Sequence, residues 1–366
     1  MDINKIIEFR KKLHEYPEIA HHEVKTQKFI KDFLRDNTNV EIVEEDGWFY
    51  AKMKGLNPSK TIAIRSDHDA IMNSKLEMFH GCGHDGHTAI MCGLILALEE
   101  DMPNDNVIFL FQPAEENGGG AKLCDKLFID NNISEIYGLH NMPNFEKGVA
   151  YYRKGCIQCA SLGMRIKIDG IQTHASEPEK GLNPSYAISK IIGRLKPLSE
   201  FYGFVGRKFE DIEFQSLVLV TIINLSMGKL NFGVSPKSGE ISFTIRAAFD
   251  ADMQKLLDKL YEILGEIKNE GYKYIIEIYD EFPETNNDIE LCEKTLKVLD
   301  KYGIKHREMS EPIRASEDFG YYKKFCPSLF FMLGTGSGAS IHNENYVFND
   351  DVIMDGINLF KSIIKG

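Results

Sequence analysis

Hydrophobic and polar residues alternate along this chain in a pattern that predicts strands separated by helices. Short runs rich in β-forming residues lie at 61–65, 107–111, 133–139 and 328–333. Residues 88–100, between the first two runs, are apolar on nearly all sides and predict a buried helix. Residues 3–37 have helical spacing broken at Pro17, so we predict two helices joined by a turn. Strands that alternate with helices are typical of an α/β domain with a mostly parallel sheet.

The pattern changes in the middle of the chain. Strand-like and helical segments follow one another in the order β-α-β-β-α-β, at 161–169, 184–195, 217–223, 240–247, 252–270 and 274–278. This order is that of a ferredoxin-like unit. We therefore predict a catalytic α/β domain formed by residues 1–158 and 283–366, with an inserted ferredoxin-like α+β lid or dimerisation domain at 159–282.

Charge and composition narrow the class of protein. The 366 residues include 43 Lys and Arg against 55 Asp and Glu, a formal net charge of −12. An acidic chain argues against nucleic acid or an anionic membrane as a partner, since both select basic surfaces. The longest apolar run, near residues 89–98, is far shorter than the roughly 20 residues that span a bilayer. The N-terminus lacks a signal-peptide pattern and the seven cysteines resemble reduced thiols, so we expect a cytoplasmic protein.

Polar residues suited to metal or proton chemistry follow four of the predicted strands. They lie at 66–69, 113–116, 140–141 and 342–344. In open parallel sheets, ligands bind outside the carboxyl ends of the strands, so we expect these segments to converge.

A fifth segment, residues 80–87, has the sequence His-Gly-Cys-Gly-His-Asp-Gly-His. Residues two apart in an extended loop point the same way, so Cys82 and His84 can reach one metal ion. A thiolate and an imidazole suit Zn, Co, Ni or Fe, and added carboxylate widens the choice toward Mn. Taken alone, a Cys-Gly-His sequence is more often a turn. Five such segments at one predicted sheet edge favour a metal site.

The adjacent carboxylates Glu115 and Glu116 indicate the chemistry. Neighbours in sequence face different directions, so one can bind metal while the other holds an attacking water. A metal lowers the pKa of its water, and a free carboxylate can remove the proton and later protonate a leaving amine. The pattern therefore predicts metal-assisted hydrolysis of an amide, although a pair of glutamates alone is usually a solvated surface.

Several motifs at these positions match a known family over nearly the whole chain. They are Leu-His-x-x-Pro-Glu at 13–18, Arg-Ser-Asp-His-Asp-Ala at 65–70, the segment 80–87, Phe-Gln-Pro-Ala-Glu-Glu at 111–116, Gly-Leu-His at 138–140, Ser-Glu-Asp-Phe at 316–319 and Ile-His at 341–342. With these motifs the chain resembles the aminoacylase and glutamate-carboxypeptidase family of di-metal peptidases. Within it, the resemblance is to the amidohydrolase branch of aminoacylases, hippurate hydrolases, N-acetyldiaminopimelate deacetylases and plant auxin-conjugate hydrolases.

The resemblance implies two divalent metal ions (Zn, Mn, Co or Ni) as cofactors. Their implied ligands are Cys82, His84, Glu116, His140 and His342. It also implies that Glu115 is the general base and acid, and that Asp69 orients a ligand.

In the inserted domain the resemblance implies contacts with the substrate. His174 falls where the family has a histidine that stabilises the oxyanion. Arg246 is a candidate for holding the substrate carboxylate, which suits a planar bidentate donor. The family's Asn-Val-Ile-Pro is Gly-Val-Ser-Pro at 233–236 here. The usual asparagine contact is therefore missing, and Asn231 is the nearest substitute.

Three functions remain open at this stage. The leading hypothesis is an amidohydrolase that deacylates small N-acyl amino acids and forms a homodimer through the lid. An exopeptidase or dipeptidase of the same family is the alternative, distinguished by whether a free amine is accepted. A non-catalytic metal- or ligand-binding protein is the third, and it is disfavoured because neither Glu115 nor any implied ligand is lost.

Overall fold

The computed structural model describes all residues, 1–366. Its α-helices are α1 (Ile3–Leu13), α2 (Val24–Asn37), α3 (His84–Glu100), α4 (Gly120–Leu123), α5 (Asp125–Asn131), α6 (Pro184–Leu195), α7 (Asp250–Asn269), α8 (Ile289–Tyr302) and α9 (Ile353–Lys365). Its first nine strands are β1 (Glu41–Glu44), β2 (Phe49–Met53), β3 (Thr61–Asp67), β4 (Ile71–Met72), β5 (Met78–Phe79), β6 (Asn106–Gln112), β7 (Glu135–Met142), β8 (Ala150–Tyr152) and β9 (Gly155–Gln158).

The remaining strands are β10 (Ala160–Asp169), β11 (Arg207–Phe209), β12 (Ile212–Phe214), β13 (Val218–Met227), β14 (Ser238–Ala247), β15 (Lys273–Phe282), β16 (Thr285–Asn287), β17 (His306–Glu308) and β18 (Ser328–Gly334). Short 3₁₀ helices lie at Pro178–Lys180, Lys196–Leu198, Asp318–Lys324 and Asp350–Val352. No helix is long and apolar enough to cross a membrane.

The large sheet has eight strands in the order β1-β2-β6-β3-β7-β18-β8-β17. Its four central strands, β6, β3, β7 and β18, run parallel to one another. They are buried almost throughout, as expected for parallel strands covered on both faces. Helix α3 is buried nearly from end to end and packs with α1 and α9. The mostly parallel α/β architecture predicted from the sequence is confirmed.

The second sheet is antiparallel, with the order β13-β14-β10-β15. Strands β10 and β14 bury alternate residues, and these pack with α6 and α7 into a separate apolar core. The elements follow as β10-α6-β13-β14-α7-β15, which confirms the predicted ferredoxin-like order.

The chain divides into two compact units. Unit 1 consists of Met1–Ile157, Thr285–Glu311 and Glu317–Gly366, and contains the large sheet. Unit 2 consists of Gln158–Glu284 and Pro312–Ser316, and contains the antiparallel sheet. The short segment 312–316 belongs to unit 2, although the sequence pattern places it in the catalytic domain.

Helix α3 begins four residues earlier than its apolar pattern predicts. The pattern starts at residue 88, whereas the helix starts at His84, directly after Gly83 in the left-handed conformation (φ +92°). The first turn is polar yet buried, because His84 and Asp85 have hydrogen-bond partners inside the fold. A buried polar turn carries no hydrophobic signal, which is why the pattern misses it.

Candidate metal centre

Strand β3 delivers a row of charged side chains to the carboxyl edge of the large sheet. Arg65 and Asp67 lie two residues apart on one face of the strand, and Asp69 follows two residues after the strand ends. All three are buried, with at most 1% of each residue exposed. Asp69 uses both carboxylate oxygens: Oδ1 lies 2.9 Å from Nδ1 of His84, and Oδ2 accepts the backbone N–H of Glu116 at 3.0 Å. One carboxylate therefore ties together two of the converging segments.

The loop before α3 brings Cys82 and His84 to the same place. A side chain on Gly83 would put its Cβ 2.4 Å from Oδ1 of Asn141 and 2.6 Å from the hydroxyl oxygen of Tyr346. Only glycine fits both this close approach and the positive φ. Gly83 therefore lets the chain turn from Cys82 into the helix that begins with His84.

Two groups of possible ligand atoms form at this point, each with all atoms within 4.8 Å of one another. One comprises Cys82, His84 and His140, and the other Cys82, Glu116 and His342. Cys82 belongs to both groups. The structure thus brings together the five residues implied as ligands.

Hydrogen bonds leave Nε2 of both buried histidines facing the cluster. Nδ1 of His84 donates to Asp69, and Nδ1 of His140 donates to the backbone oxygen of Asn141 at 2.7 Å. A hydrogen bond from the other ring nitrogen to an oxygen is what fixes the orientation of a metal-binding imidazole. Nε2 of His84 and Oε1 of Glu116 are buried and have no hydrogen-bond partner. Buried nitrogen and oxygen atoms without a hydrogen-bond partner, next to a thiol, are suitable ligand atoms for a divalent cation such as zinc.

The local charges agree with that fit. Burial raises the pKa of the Cys82 thiol well above its ordinary value, and the carboxylates of Glu116 and Glu115 raise it further. Burial also opposes ionisation of Glu116, but His342 and His84 outweigh it and hold the pKa of that carboxyl below its ordinary value. Ionised thiolate at this position therefore needs a cation to balance its charge.

Glu115 lies beside the cluster in a different electrostatic environment. It is 5% exposed, and its Oε2 is 3.9 Å from Nε2 of His84. Burial raises the pKa of Glu115 well above its ordinary value, and the nearby carboxylates of Glu317, Glu116 and Asp318 add to the effect. Two adjacent glutamates thus have opposite pKa shifts, the arrangement expected when one holds a proton and the other stays ionised.

Several residues around the site were not predicted from the sequence. Asp67 forms a third possible ligand group with His84 and His87, and its carboxylate also pairs with Arg65 at 2.6 Å. Nε2 of His87 contacts the side chain of Asn141. Asp67 and His87 both lie in segments predicted to be suited to metal chemistry, 66–69 and 80–87, but neither was given a role.

The three predicted substrate contacts lie in unit 2. His174 is exposed, and its Nδ1 accepts the backbone N–H of Ser176 at 3.2 Å. Arg246 is half-buried on β14, where Nη1 donates to the backbone oxygen of Arg314 and to Ser316, both at 2.9 Å. Asn231 is exposed, and its Oδ1 accepts the backbone N–H of Gly233.

Known proteins resemble this chain over nearly its whole length. The hippurate hydrolase of Campylobacter jejuni is 30% identical, over 94% of this chain and 91% of its own. Thermostable carboxypeptidase 1 of Saccharolobus solfataricus is 29% identical, over 96% of this chain and 92% of its own. A dinuclear metal-binding peptidase of the M20 family from Bacillus subtilis shares the fold, with a TM-score of 0.81 and 24% identity over 99% of this chain and 97% of that one.

The sequence profile described as peptidase family M20/M25/M40 matches residues 63–366. This range contains every residue of the cluster at the carboxyl edge of the large sheet, and it extends through unit 2 to the last residue. The chain therefore belongs to peptidase family M20/M25/M40 and is a metal-dependent hydrolase of amide bonds.

Proposed function

We propose that this enzyme deacylates N-acyl amino acids, releasing a carboxylic acid and a free amino acid. The observation that carries the proposal is the placement of Glu115, a buried carboxyl group with a raised pKa, directly beside a thiol–imidazole–carboxylate cluster. The similarity to a hippurate hydrolase supports this substrate class, because hippurate is itself an N-acyl amino acid.

The cluster would hold two divalent cations. The residues that would hold them are Cys82, His84, Glu116, His140 and His342. When bound, the cations supply Lewis acidity and lower the pKa of water toward neutrality. Zn suits the thiolate and Mn or Co suits the carboxylate, so the identity of the metal is left to experiment.

Glu115 moves the proton in this proposal. Its carboxylate takes a proton from the attacking water as the water oxygen bonds to the amide carbon. The same group then donates that proton to the nitrogen as the carbon–nitrogen bond breaks. The raised pKa of Glu115 favours holding the proton between the two steps. Asp69 keeps His84 and the Glu116 backbone in place throughout.

Residues of unit 2 would bind the substrate. Nδ1 of His174 accepts a hydrogen bond from Ser176, which puts the proton of the neutral ring on Nε2. Nε2 can then donate to an oxyanion. Arg246 uses Nη1 within its own unit and would offer its other N–H groups to the substrate carboxylate. Asn231 would contribute its amide NH₂, since its Oδ1 is already bonded.

We also propose a homodimer formed through unit 2. Strand β13 is an edge strand of the antiparallel sheet, and it exposes Ile222, Ile223 and Leu225. An exposed apolar edge strand is suited to pairing with another chain. A cytoplasmic location stays a prediction.

An exopeptidase is the second candidate, because one relative is a carboxypeptidase. The two functions differ in whether the amine of the acyl portion is free. N-acyl and N-terminally free substrates with the same leaving amino acid therefore separate them.

The test is amine release from N-acetyl-, N-benzoyl- and indoleacetyl-amino acids and from matched dipeptides, with added Mn²⁺ or Zn²⁺ and with chelator. We expect chelator-sensitive hydrolysis of N-acyl amino acids. Glu115→Gln should lower kcat by about 100- to 10,000-fold, the usual range for losing a general acid–base group.

The matched control is Glu290→Gln on the surface, which should behave as wild type, and metal content is measured for both variants. Preference for dipeptides would favour the exopeptidase. Full activity of Glu115→Gln with bound metal would refute the proposed role of Glu115.

A further inference from the structure

The segment Glu18–Glu23 lies outside the residues matched by the family profile, yet it contacts two of the loops that form the site. The backbone oxygen of Glu18 accepts the N–H of Ala70 at 2.8 Å, next to Asp69. At the other end, Oε1 of Glu23 accepts the N–H of Ala114 at 2.8 Å, next to Glu115. The connection between the first two helices is therefore also a support for the site.

Glu23 is in an unusual situation for a residue at its position. It immediately precedes helix α2, where a side chain commonly caps the first N–H groups, but it makes no such hydrogen bond. Glu18 does this instead, because its Oε2 accepts the N–H of Thr26 at 2.8 Å. The Glu23 carboxylate is only 2% exposed and is directed to Ala114. A buried carboxyl group that leaves its own helix uncapped needs another explanation.

Ala114 supplies that explanation through its backbone. It is fully buried and has φ of +52°, in the left-handed region that non-glycine residues disfavour. Its oxygen accepts the N–H of Gly120 at 2.9 Å, and its N–H donates to Glu23. The peptide groups that follow carry Glu115 and Glu116. Reversion of Ala114 to a negative φ would redirect both carboxylates.

We propose that Glu23 is a positioning residue that holds Ala114 in its left-handed conformation and so sets the directions of Glu115 and Glu116. The inference rests on the proposed function, in which Glu115 moves the proton and Glu116 binds metal. The Glu23 carboxyl group also faces the backbone of His21 and of Glu23 itself, but the contact that reaches the site is its hydrogen bond with Ala114.

The first experiment compares three substitutions of Glu23. Glu23→Gln keeps an acceptor oxygen at the same reach, and it should keep kcat within about threefold. Glu23→Asp keeps the charge but shortens the side chain, and Glu23→Ala removes the acceptor. Both should lower kcat by about 10- to 100-fold with KM within about threefold, because misplacing a catalytic group by roughly 1 Å can cost about 100-fold.

The second experiment asks whether Ala114 transmits the effect. Glycine adopts positive φ without penalty, so Ala114→Gly should be close to wild type and should restore kcat of Glu23→Ala at least about fivefold. If Glu23 only stabilised the fold in general, Ala114→Gly would not restore the activity of Glu23→Ala. Asp288→Ala is the matched control, because it loses a carboxylate–backbone hydrogen bond at the start of α8 in the same unit and should lower only the melting temperature.

Metal affinity gives a readout that does not depend on hydrolysis. Dissociation constants for Mn²⁺ and Zn²⁺ should increase about 10- to 100-fold in Glu23→Asp and stay near wild type in Glu23→Gln. This is the usual loss when a residue that positions metal ligands is changed. If the wild type hydrolyses no member of the substrate panel, the proposed function fails and these constants still test Glu23.

Three results would overturn the inference. One is a Glu23→Asp enzyme with wild-type kcat and metal affinity. Another is a Glu23→Gln enzyme as impaired as Glu23→Asp, since an acceptor oxygen at the original reach would then not be sufficient. The third is no recovery of Glu23→Ala by Ala114→Gly. If Glu23→Ala does not fold, the Gln and Asp pair decides.

Discussion

The two largest sheets of this molecule each carry an arginine flanked by carboxylates, and the two arginines lie in opposite environments. Arg65 on β3 has a completely buried side chain and pairs with Asp67, Glu317 and Asp318 at 2.6–2.8 Å. Arg165 on β10 has a side chain that is 34% exposed and pairs with Glu240 and Glu277. The same chemistry thus occurs once in a core and once on a solvated face.

Burial decides what such a cluster does. On the face of the antiparallel sheet, water screens the charges, so each pair adds little to stability. In the large sheet, burial opposes ionisation, yet the Arg65 guanidinium helps to hold the pKa of Asp67 well below its ordinary value, whereas the pKa of Asp318 stays raised. Burial and the neighbouring carboxylates raise the pKa of Glu115 against the opposing effect of Arg65, so unit 1 keeps charged groups in its core. Unit 2 keeps its core apolar.

The largest effect that would test this contrast is expected for Arg65→Met. The substitution leaves three buried carboxylates without their cation, and removing one partner of a buried ion pair typically costs about 3–5 kcal/mol. Urea unfolding monitored by circular dichroism measures the loss of unfolding free energy. A loss below about 1 kcal/mol would show that the buried cluster is not held together by Arg65.

Removal of the metal by a chelator should affect the stability of the two units differently. A cation at 1,000 times its dissociation constant adds about 4 kcal/mol of stability to the unit that binds it. Removing the metal should therefore increase hydrogen exchange in residues 80–84 and 114–116 and leave β13–β15 unchanged. Equal loss of protection in both units would contradict a site confined to unit 1.

Lower pH should weaken metal binding, because Cys82 must lose its proton to become a ligand.

The effect of a buried charge in unit 1 can also be measured through the pH dependence of stability, because Glu23 is a buried carboxyl group. Burial raises the pKa of Glu23 from 4.5 to about 7, with Asp69 also contributing. The unfolded chain loses this proton near pH 4.5 and the folded chain near pH 7, so folding loses stability as pH rises between these values. The shift corresponds to about 3 kcal/mol.

Glu23→Gln cannot titrate, so its unfolding free energy relative to wild type should improve by up to about 3 kcal/mol from pH 4.5 to pH 8. Both proteins are measured with chelator present, which removes the pH dependence of metal binding. Parallel pH profiles for the two proteins would show that Glu23 has an ordinary pKa in the folded state.

The smallest effect is expected for Arg165→Met, the counterpart of the Arg65 substitution. Its pairs with Glu240 and Glu277 are solvent-screened, so the unfolding free energy should fall far less than for Arg65→Met. The same urea titration measures it. A loss as large as that of Arg65→Met would remove the distinction between the two sheets.

Much of this architecture was readable from hydrophobic patterning. Continuous apolar runs predicted the parallel strands, because a strand buried on both faces is apolar throughout. Alternating apolar and polar residues predicted β10 and β14, because a strand buried on one face is apolar at every second position. The start of α3 was missed, since its first turn is buried through polar residues such as Asp85.

The motifs also identified which residues converge, but they gave no information about partners. Asp69 was predicted to orient a ligand, whereas its second contact, to the backbone of Glu116, is visible only in the fold. Asp67 and His87 lie in the same segments but were assigned no role, because residue type alone does not distinguish a buried hydrogen-bond network from a solvated turn.

The amino-acid sequence alone specified the order of elements, the fold class and the residues available for chemistry. These depend on local periodicity and on spacing along the chain. The tertiary structure decided which charges meet: Arg65 pairs with a glutamate 252 residues away, and Glu23 reaches the backbone of Ala114. Such contacts form only when distant segments pack, and burial then sets the pKa of each group and the free energy of each pair.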